Sequence, residues 1–230
     1  MPVNITKAYK KIPVTAPTGL IMRLPMNEGS GVLLNESVSD VDYSIGTSSW
    51  GSDANGNYLL PQGSGIIFDT PIPMTSVVPT PTTSFSIATW VDNTFSASAS
   101  GGWFIVTSML ANLTIQLSGD GRYGGPSDGR IATVNAIGGN PTYKSGTVLP
   151  SGLHHYAWVF DGTSFEFFID GVLDASYTLA GTVTLDSSRE LAFSWTSGIN
   201  PSLKCYDLAW YNKALNTTEL GDLVTLFRNY

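Results

Sequence analysis

Apolar and polar residues alternate along Phe85-Ser86-Ile87-Ala88-Thr89-Trp90-Val91, again in Leu113-Thr114-Ile115-Gln116-Leu117, and around Thr182-Val183-Thr184-Leu185. Successive side chains of an extended chain point to opposite faces, so this period sends one set into a core and the other toward solvent or a second layer. In residues 153–179, Asp161-Gly162 and Asp170-Gly171 interrupt runs of aromatic and β-branched residues. Both members of an Asp-Gly pair tolerate the positive φ of a tight hairpin turn. The two turns predict three successive antiparallel strands, with Phe165, Phe167 and Ile169 on one face of the middle strand and Glu166, Phe168 and Asp170 on the other. From Gly19 onward, Gly, Pro, Asn and Asp recur at short intervals, the punctuation of many short strands.

Between these runs lie irregular stretches. The Pro/Thr-rich segment from Pro71 to Pro81 has too few free N–H groups for a central strand. Residues 118–130 and 138–146 read as turn-rich loops. One helix is expected near the end, where Asn216-Thr217-Thr218-Glu219 resembles a capping box and Leu220, Leu223, Val224 and Phe227 follow at helical spacing. Residues 1–17, carrying Pro2, Pro13 and Pro17, read as an extended arm ahead of one domain over 18–230.

Composition narrows the class. The chain has 230 residues, 42% apolar and only 13% charged, so it can bury a large core while Ser, Thr, Asn and Gly supply its polarity. A coiled coil or a charge-driven disordered chain is excluded. The single Cys205 excludes an internal disulfide framework and a cysteine zinc site. Apolar runs fall well short of the roughly 20 residues of a membrane helix, and the opening MPVNITKAYKKIPV lacks the apolar region of a secretory leader. Neither membrane insertion nor export through a leader is expected.

The net charge of −7 is unevenly spread: Lys7, Lys10 and Lys11 precede any acid, and no Lys or Arg occurs between Arg23 and Arg122. Such a body repels a phosphate backbone, so nucleic acid is not an expected partner. The basic arm has two readings, a solvated terminus or a segment docking on an acidic neighbouring surface such as another subunit.

Four segments, in order, carry a family resemblance. They are Gly19–Gly31 with its Glu28-Gly29-Ser30-Gly31 turn, Ser84–Val91, His154–Gly162 running on to Phe168–Gly171, and Tyr206–Leu215 followed by Glu219-Leu220. Together they resemble the concanavalin A-like lectin/glucanase superfamily in its laminin-G-like branch, over residues 19 to about 226. Leu153 stands where that family often has Trp, and Lys204 where it often has Gly. The resemblance implies an all-β, two-sheet antiparallel jelly-roll sandwich with a short C-terminal helix. It does not imply one function, because the scaffold hosts lectins, hydrolases and structural modules.

Glycoside hydrolysis needs paired carboxylates, which hydrolases of the superfamily supply in an E-x-D-x-x-E pattern that does not occur here. His154 and His155 are adjacent on a strand and cannot serve one site; one is expected to be core-facing and satisfied, the other solvated. Cys205 reads as a small buried hydrophobe. The metal that suits the chain is calcium, with its hard oxygen ligands; the resemblance implies a rim site, for which Glu28, Asp40, Asp42 and Asp207 are the acids in or near the resembling segments. Glu28 and Asp40 have a second reading as turn formers. Sugar binding needs exposed aromatic platforms. Trp50, Trp103, Tyr123, Tyr143 and Trp195 lie in or beside Gly/Ser/Asn-rich loops, whereas Trp90 and Trp158 fall inside strands. Loop anchoring or an oligomer interface is the other use of the loop aromatics.

These features lead us to expect a non-catalytic lectin-like module that recognises a glycan or protein on a surface. A homo-oligomer, or docking on a larger particle through the arm, is expected. A lectin-like domain without leader, disulfides or enzyme partner suits a particle released by lysis, such as a phage virion, as a decoration, fibre or receptor-binding protein. A purely structural capsid decoration and a polysaccharide hydrolase stay open as alternatives.

Overall fold

The computed structural model describes residues 17–45, 48–60, 72–73, 84–93, 103–105, 113–118, 131–136, 142–144, 147, 149–178, 190–191 and 203–227. The arm over 1–16, the strand expected around Thr182 and most of the long loops lie outside the described residues. In chain order the strands are β1 Leu20–Leu24, β2 Leu33–Glu36, β3 Val41–Ser44, β4 Ser49–Asp53, β5 Gly56–Leu60, β6 Ile72–Pro73, β7 Phe85–Asn93 and β8 Trp103–Ile105. They continue with β9 Leu113–Ser118, β10 Ile131–Ala136, β11 Thr142–Lys144, β12 Leu153–Phe160, β13 Ser164–Ile169, β14 Val172–Thr178, β15 Glu190–Leu191 and β16 Leu203–Tyr211. The helix α1 spans Thr217–Phe227.

The expected Asp-Gly turns set the β12–β13–β14 meander. Asp170 and Gly171 take φ of 51° and 79°, the two left-handed conformations of a type I′ turn. At the other turn the Asp161 carboxylate accepts the N–H groups of Thr163 at 2.8 Å and Ser164 at 2.7 Å. These backbone donors hold its carboxyl down at about 2. The meander forms one flank of a large antiparallel sheet ordered β14-β13-β12-β7-β16-β5-β4, with β1 also on β16. A second sheet runs β11-β10-β9-β8, and β2–β3 and β6–β15 form two small ribbons. The all-β jelly-roll expectation holds, with two antiparallel sheets and the short terminal helix. Residues 142–144, expected within a loop, instead pair with β10.

Register explains how both faces of the large sheet are buried. Trp158 stands opposite Ile87 and Phe167, and Phe160 opposite Phe85 and Phe165. Their rings pack with centroids 4.8 Å apart for Phe160–Phe165 and 5.4 Å for Trp158–Phe167, while Phe85 meets Trp210 at 6.0 Å. This aromatic face is the main core. On the opposite face, Ala209, Ala88, Ala157 and Phe168 lie in one cross-strand row. The small alanines leave a trough that Leu215 and Leu220 fill. Trp90 and Trp158 are core residues, as their strand positions predict.

The segment leading into α1 is anchored at both ends. Buried Ser86 donates to the Lys213 carbonyl at 2.8 Å and accepts the Leu215 N–H at 2.9 Å. The expected capping box forms: Asn216 Oδ1 accepts the Glu219 N–H, and Glu219 Oε2 accepts the Asn216 N–H, both at 3.0 Å. The β13–β14 turn lies against the helix, where a Cβ on Gly171 would meet the Gly221 Cα at 3.4 Å.

His155 is the one core-facing histidine, 1% exposed and with its ring 5.3 Å from that of Trp90. Contrary to expectation, its Nδ1 has no hydrogen-bond partner among the described residues. His154 is half-buried, with Nδ1 2.7 Å from the Asp170 carboxylate. Burial pushes the His155 imidazole down to about 4, against a weaker upward pull from Asp170. Because the folded value lies below the ordinary 6.5, the unfolded chain takes up a proton first as pH falls. Stability is therefore expected to be complete above that ordinary value and to fall by about 3 kcal/mol as pH drops to about 4. Urea titrations at stepped pH should show this slope in the parent and not in His155→Gln; equal slopes would refute the assignment.

Candidate functional site

Three segments converge beside one end of β16. A β-bulge between Cys205 and Asp207 inserts Tyr206 as an extra residue, re-aiming the side chains on either side of it. Next to the bulge lie the end of β1 with the turn that follows it, and the β4–β5 hairpin with its Asp53-Ala54-Asn55-Gly56-Asn57 tip. Together they enclose an open cleft of about 280 Å³.

One wall is an ion pair. The Arg23 guanidinium forks onto Asp207, with Nη2 2.7 Å from Oδ2 and Nε 3.2 Å from both oxygens. Bidentate pairing of this kind fixes both side chains. Arg23 is also held through its backbone, its N–H donating to Glu36 Oε1 at 2.8 Å. Glu36 is buried but satisfied, since it also accepts the N–H groups of Val38 and Ser39.

The opposite wall centres on Asp53. Its Oδ2 accepts from the Tyr206 hydroxyl at 2.8 Å and from Lys204 Nζ, which also lies 3.6 Å from the mostly buried Asp92. Burial raises the Asp53 pKa, but its bonds to Lys204, the Asn55 backbone and Tyr206 outweigh that and hold the carboxyl below its ordinary range. Burial and the bond to Asp53 push the Tyr206 phenol upward, so it stays protonated and donates. The bond to Asp53 likewise raises Lys204. Beneath this knot, Lys204 Nζ sits 4.8 Å over the Tyr58 ring, which meets Tyr206 edge-on at 5.4 Å. The ring lies across Gly51, where a Cβ would approach it to 2.2 Å.

Exposed amides form the rim. Asn57 Nδ2 donates to the Asn27 carbonyl at 2.7 Å, and the Asn55 N–H to Asp53 Oδ1 at 2.8 Å. The side chains of Asn27 and Asn55 are exposed beside the cleft. The arrangement offers donors and acceptors of both signs to a polar ligand, held by partners that are already paired.

The acids expected to bind calcium fall in two places. Asp207 lies in the cleft with both oxygens on Arg23. Glu28, Asp40 and Asp42 gather instead around Asn35. Glu28 Oε1 accepts the Asn35 N–H at 2.7 Å, while Asn35 Nδ2 donates to Asp42 at 3.1 Å and Asp40 at 3.3 Å. Burial, with a smaller push from Asp42, raises the Glu28 carboxyl. Among the described residues no three His, Cys, Asp or Glu side chains converge as a metal site requires. Asp207 is thus held by a guanidinium, and the other three acids by the backbone N–H and side-chain amide of Asn35.

Of the aromatic candidates, half-buried Trp50 donates to the Gly31 carbonyl at 3.1 Å, the loop-anchoring use. Trp103 and Tyr143, expected in or beside loops, stand on the two edge strands of the four-stranded sheet, with side chains outside the described residues. Tyr123 and Trp195 lie outside the described residues altogether. The cleft residues other than Asp207 went unrecognised in the sequence. The usable signal was Asp53-Ala54-Asn55-Gly56-Asn57, a hairpin tip crowded with polar side chains.

A laminin G family model, described as the concanavalin A-like lectin/glucanases superfamily, matches residues 69–221. No curated protein matches the sequence. Similar solved structures include the binding domain of the Paraclostridial mosquitocidal protein 1, at a TM-score of 0.66 and 14% identity over 92% of this chain and 53% of that one. Botulinum neurotoxin type C, whose cell entry depends on two ganglioside molecules, aligns at 0.61 and 12% identity over 91% of this chain and 51% of its own. Domain 4 of an extracellular arabinanase from Geobacillus stearothermophilus, solved with arabinotriose, aligns at 0.59 and 16% identity, covering 89% of this chain and 98% of the domain. The chain thus spans about half the length of the two toxin chains. At these identities the likeness is one of fold.

Millimolar calcium is expected to leave the thermal midpoint within about 1 °C of its value in chelator. A larger calcium-dependent rise, lost in Asp42→Asn, would show that the Asn35 amide gives way to the ion.

Proposed function

Because the chain belongs to the concanavalin A-like lectin/glucanase superfamily, we propose that it is a non-catalytic glycan-binding surface module, with the Arg23–Asp53–Asp207 cleft as its binding site. The observation that carries this reading is the cleft's chemistry: exposed asparagine amides beside carboxylates already committed to cations. Sugar hydroxyls are both donors and acceptors, and such a rim meets both. The ganglioside-dependent cell entry of the botulinum neurotoxin and the arabinanase domain solved with arabinotriose support a glycan as ligand of this scaffold.

Hydrolysis is the less supported use. A glycosidase needs one carboxyl kept protonated as general acid, usually by a raised pKa, beside an ionised partner. Asp53 is held below its ordinary range by Lys204 and Tyr206, and Asp207 is clamped by Arg23. Neither is placed to donate a proton.

We extend the proposal to assembly. The module serves as a decoration, fibre or receptor-binding protein of a phage-type virion, attached through residues 1–17. The charge pattern supports this, with Lys7, Lys10 and Lys11 preceding every acid in a chain of net charge −7.

Immobilised oligosaccharides should capture the protein and release no new reducing ends. The double variant Asn27→Ala/Asn55→Ala should bind at least about tenfold more weakly while staying folded, with a midpoint lowered by no more than the loss of the Asn55–Tyr206 bond allows. Retained affinity would move the site elsewhere, and turnover stopped by Asp53→Asn would make the protein a hydrolase. Separately, deleting residues 1–17 should abolish particle attachment or self-association while leaving glycan capture intact. Attachment that survives the deletion would remove the arm from the proposal.

A further inference from the structure

We infer that the cleft selects uncharged glycans and rejects those carrying carboxylates, a specificity that rests on the glycan-binding reading above. A sialic or uronic acid is held most strongly by a cation able to turn toward the ligand. The two cations near the cleft among the described residues are both engaged. Arg23 is forked on Asp207, and Lys204 is bound to Asp53 with Asp92 at 3.6 Å.

The count of charges works against an anion too, with three carboxylates, Asp53, Asp92 and Asp207, set against two cations. The rim comes from residues 25–57, inside the stretch between Arg23 and Arg122 that has no Lys or Arg. The chain as a whole carries −7. A ligand carboxylate that takes the Nε/Nη2 edge of Arg23 would draw it away from Asp207, whose side chain is only 14% exposed, and so strand a largely desolvated anion. A neutral sugar needs no such exchange; the exposed amides of Asn27 and Asn55 take its hydroxyls while the ion pairs stay closed. The pairs thus act as a charge filter in the wall of the site.

The test is an array of neutral oligosaccharides, each beside its sialylated or uronic acid counterpart, probed with the full 230-residue chain. Neutral members should bind at least about tenfold better than their acidic partners, with binding unchanged by salt up to about 0.5 M. Asp207→Asn, which releases Arg23, should narrow the gap at least about threefold. If that variant does not fold, Asp53→Asn, which releases Lys204, serves the same purpose. Acidic members binding as well as neutral ones, or a gap unmoved in a folded variant, overturns the inference and leaves glycan binding standing. Binding to no glycan at all would instead overturn the underlying reading.

Discussion

The antiparallel pairing of β16 is the constraint on which the described structure depends. One edge of this strand runs the length of β7, from Leu203 opposite Asn93 to Tyr211 opposite Ser86. Its other edge is divided between β1, through Leu24 and Leu208, and β5, through Cys205 and Leu59. Register on a pleated sheet decides every side chain's face. With this register, Trp210 and Leu208 enter the aromatic core, while Ala209 and Tyr211 meet the segment carrying α1. A slip of one residue would send the aromatic residues toward the helix and the alanines into the main core.

The same strand makes the cleft through its one irregularity. The extra residue at Tyr206 sets its phenol on Asp53 and leaves Asp207 facing Arg23, so one bulge supplies a partner to each wall. Bulges often occur where a site must depart from regular alternation. Here the departure lies at the edge where β1 gives way to β5, so that three separate stretches of chain contribute polar groups. The ion pairs contribute little as surface charges. Their importance lies in position, since they hold the walls and leave the site without an uncommitted cation among the described residues.

Low overall charge and site chemistry belong together. A chain with 13% charged residues places two of its cations against three carboxylates in one small region, beside exposed amides. Selection on hydroxyl geometry rather than on charge is what such a surface can perform. Elsewhere, two buried indole N–H groups, of Trp158 and Trp210, and the His155 Nδ1 have no hydrogen-bond partner among the described residues. Packing and ring contacts hold these groups in place where hydrogen bonds do not.

Much of the fold was legible from local pattern. The alternation through Phe85–Val91, the Asp-Gly turns and the Asn216–Glu219 cap each depend on residues a few positions apart, so the chain alone determined the meander, the central strand and the helix start. The resembling segments determined the jelly-roll class. What only the tertiary structure decided depends on long-range contact. Arg23 reaches Asp207 across 184 positions, and Lys204 reaches Asp53 across 151. Local periodicity cannot show which acids will be neutralised, so Glu28, Asp40, Asp42 and Asp207 stood together as candidate calcium ligands in the sequence. The fold divided them, because an acid's function is set by the cation or amide that packing places beside it.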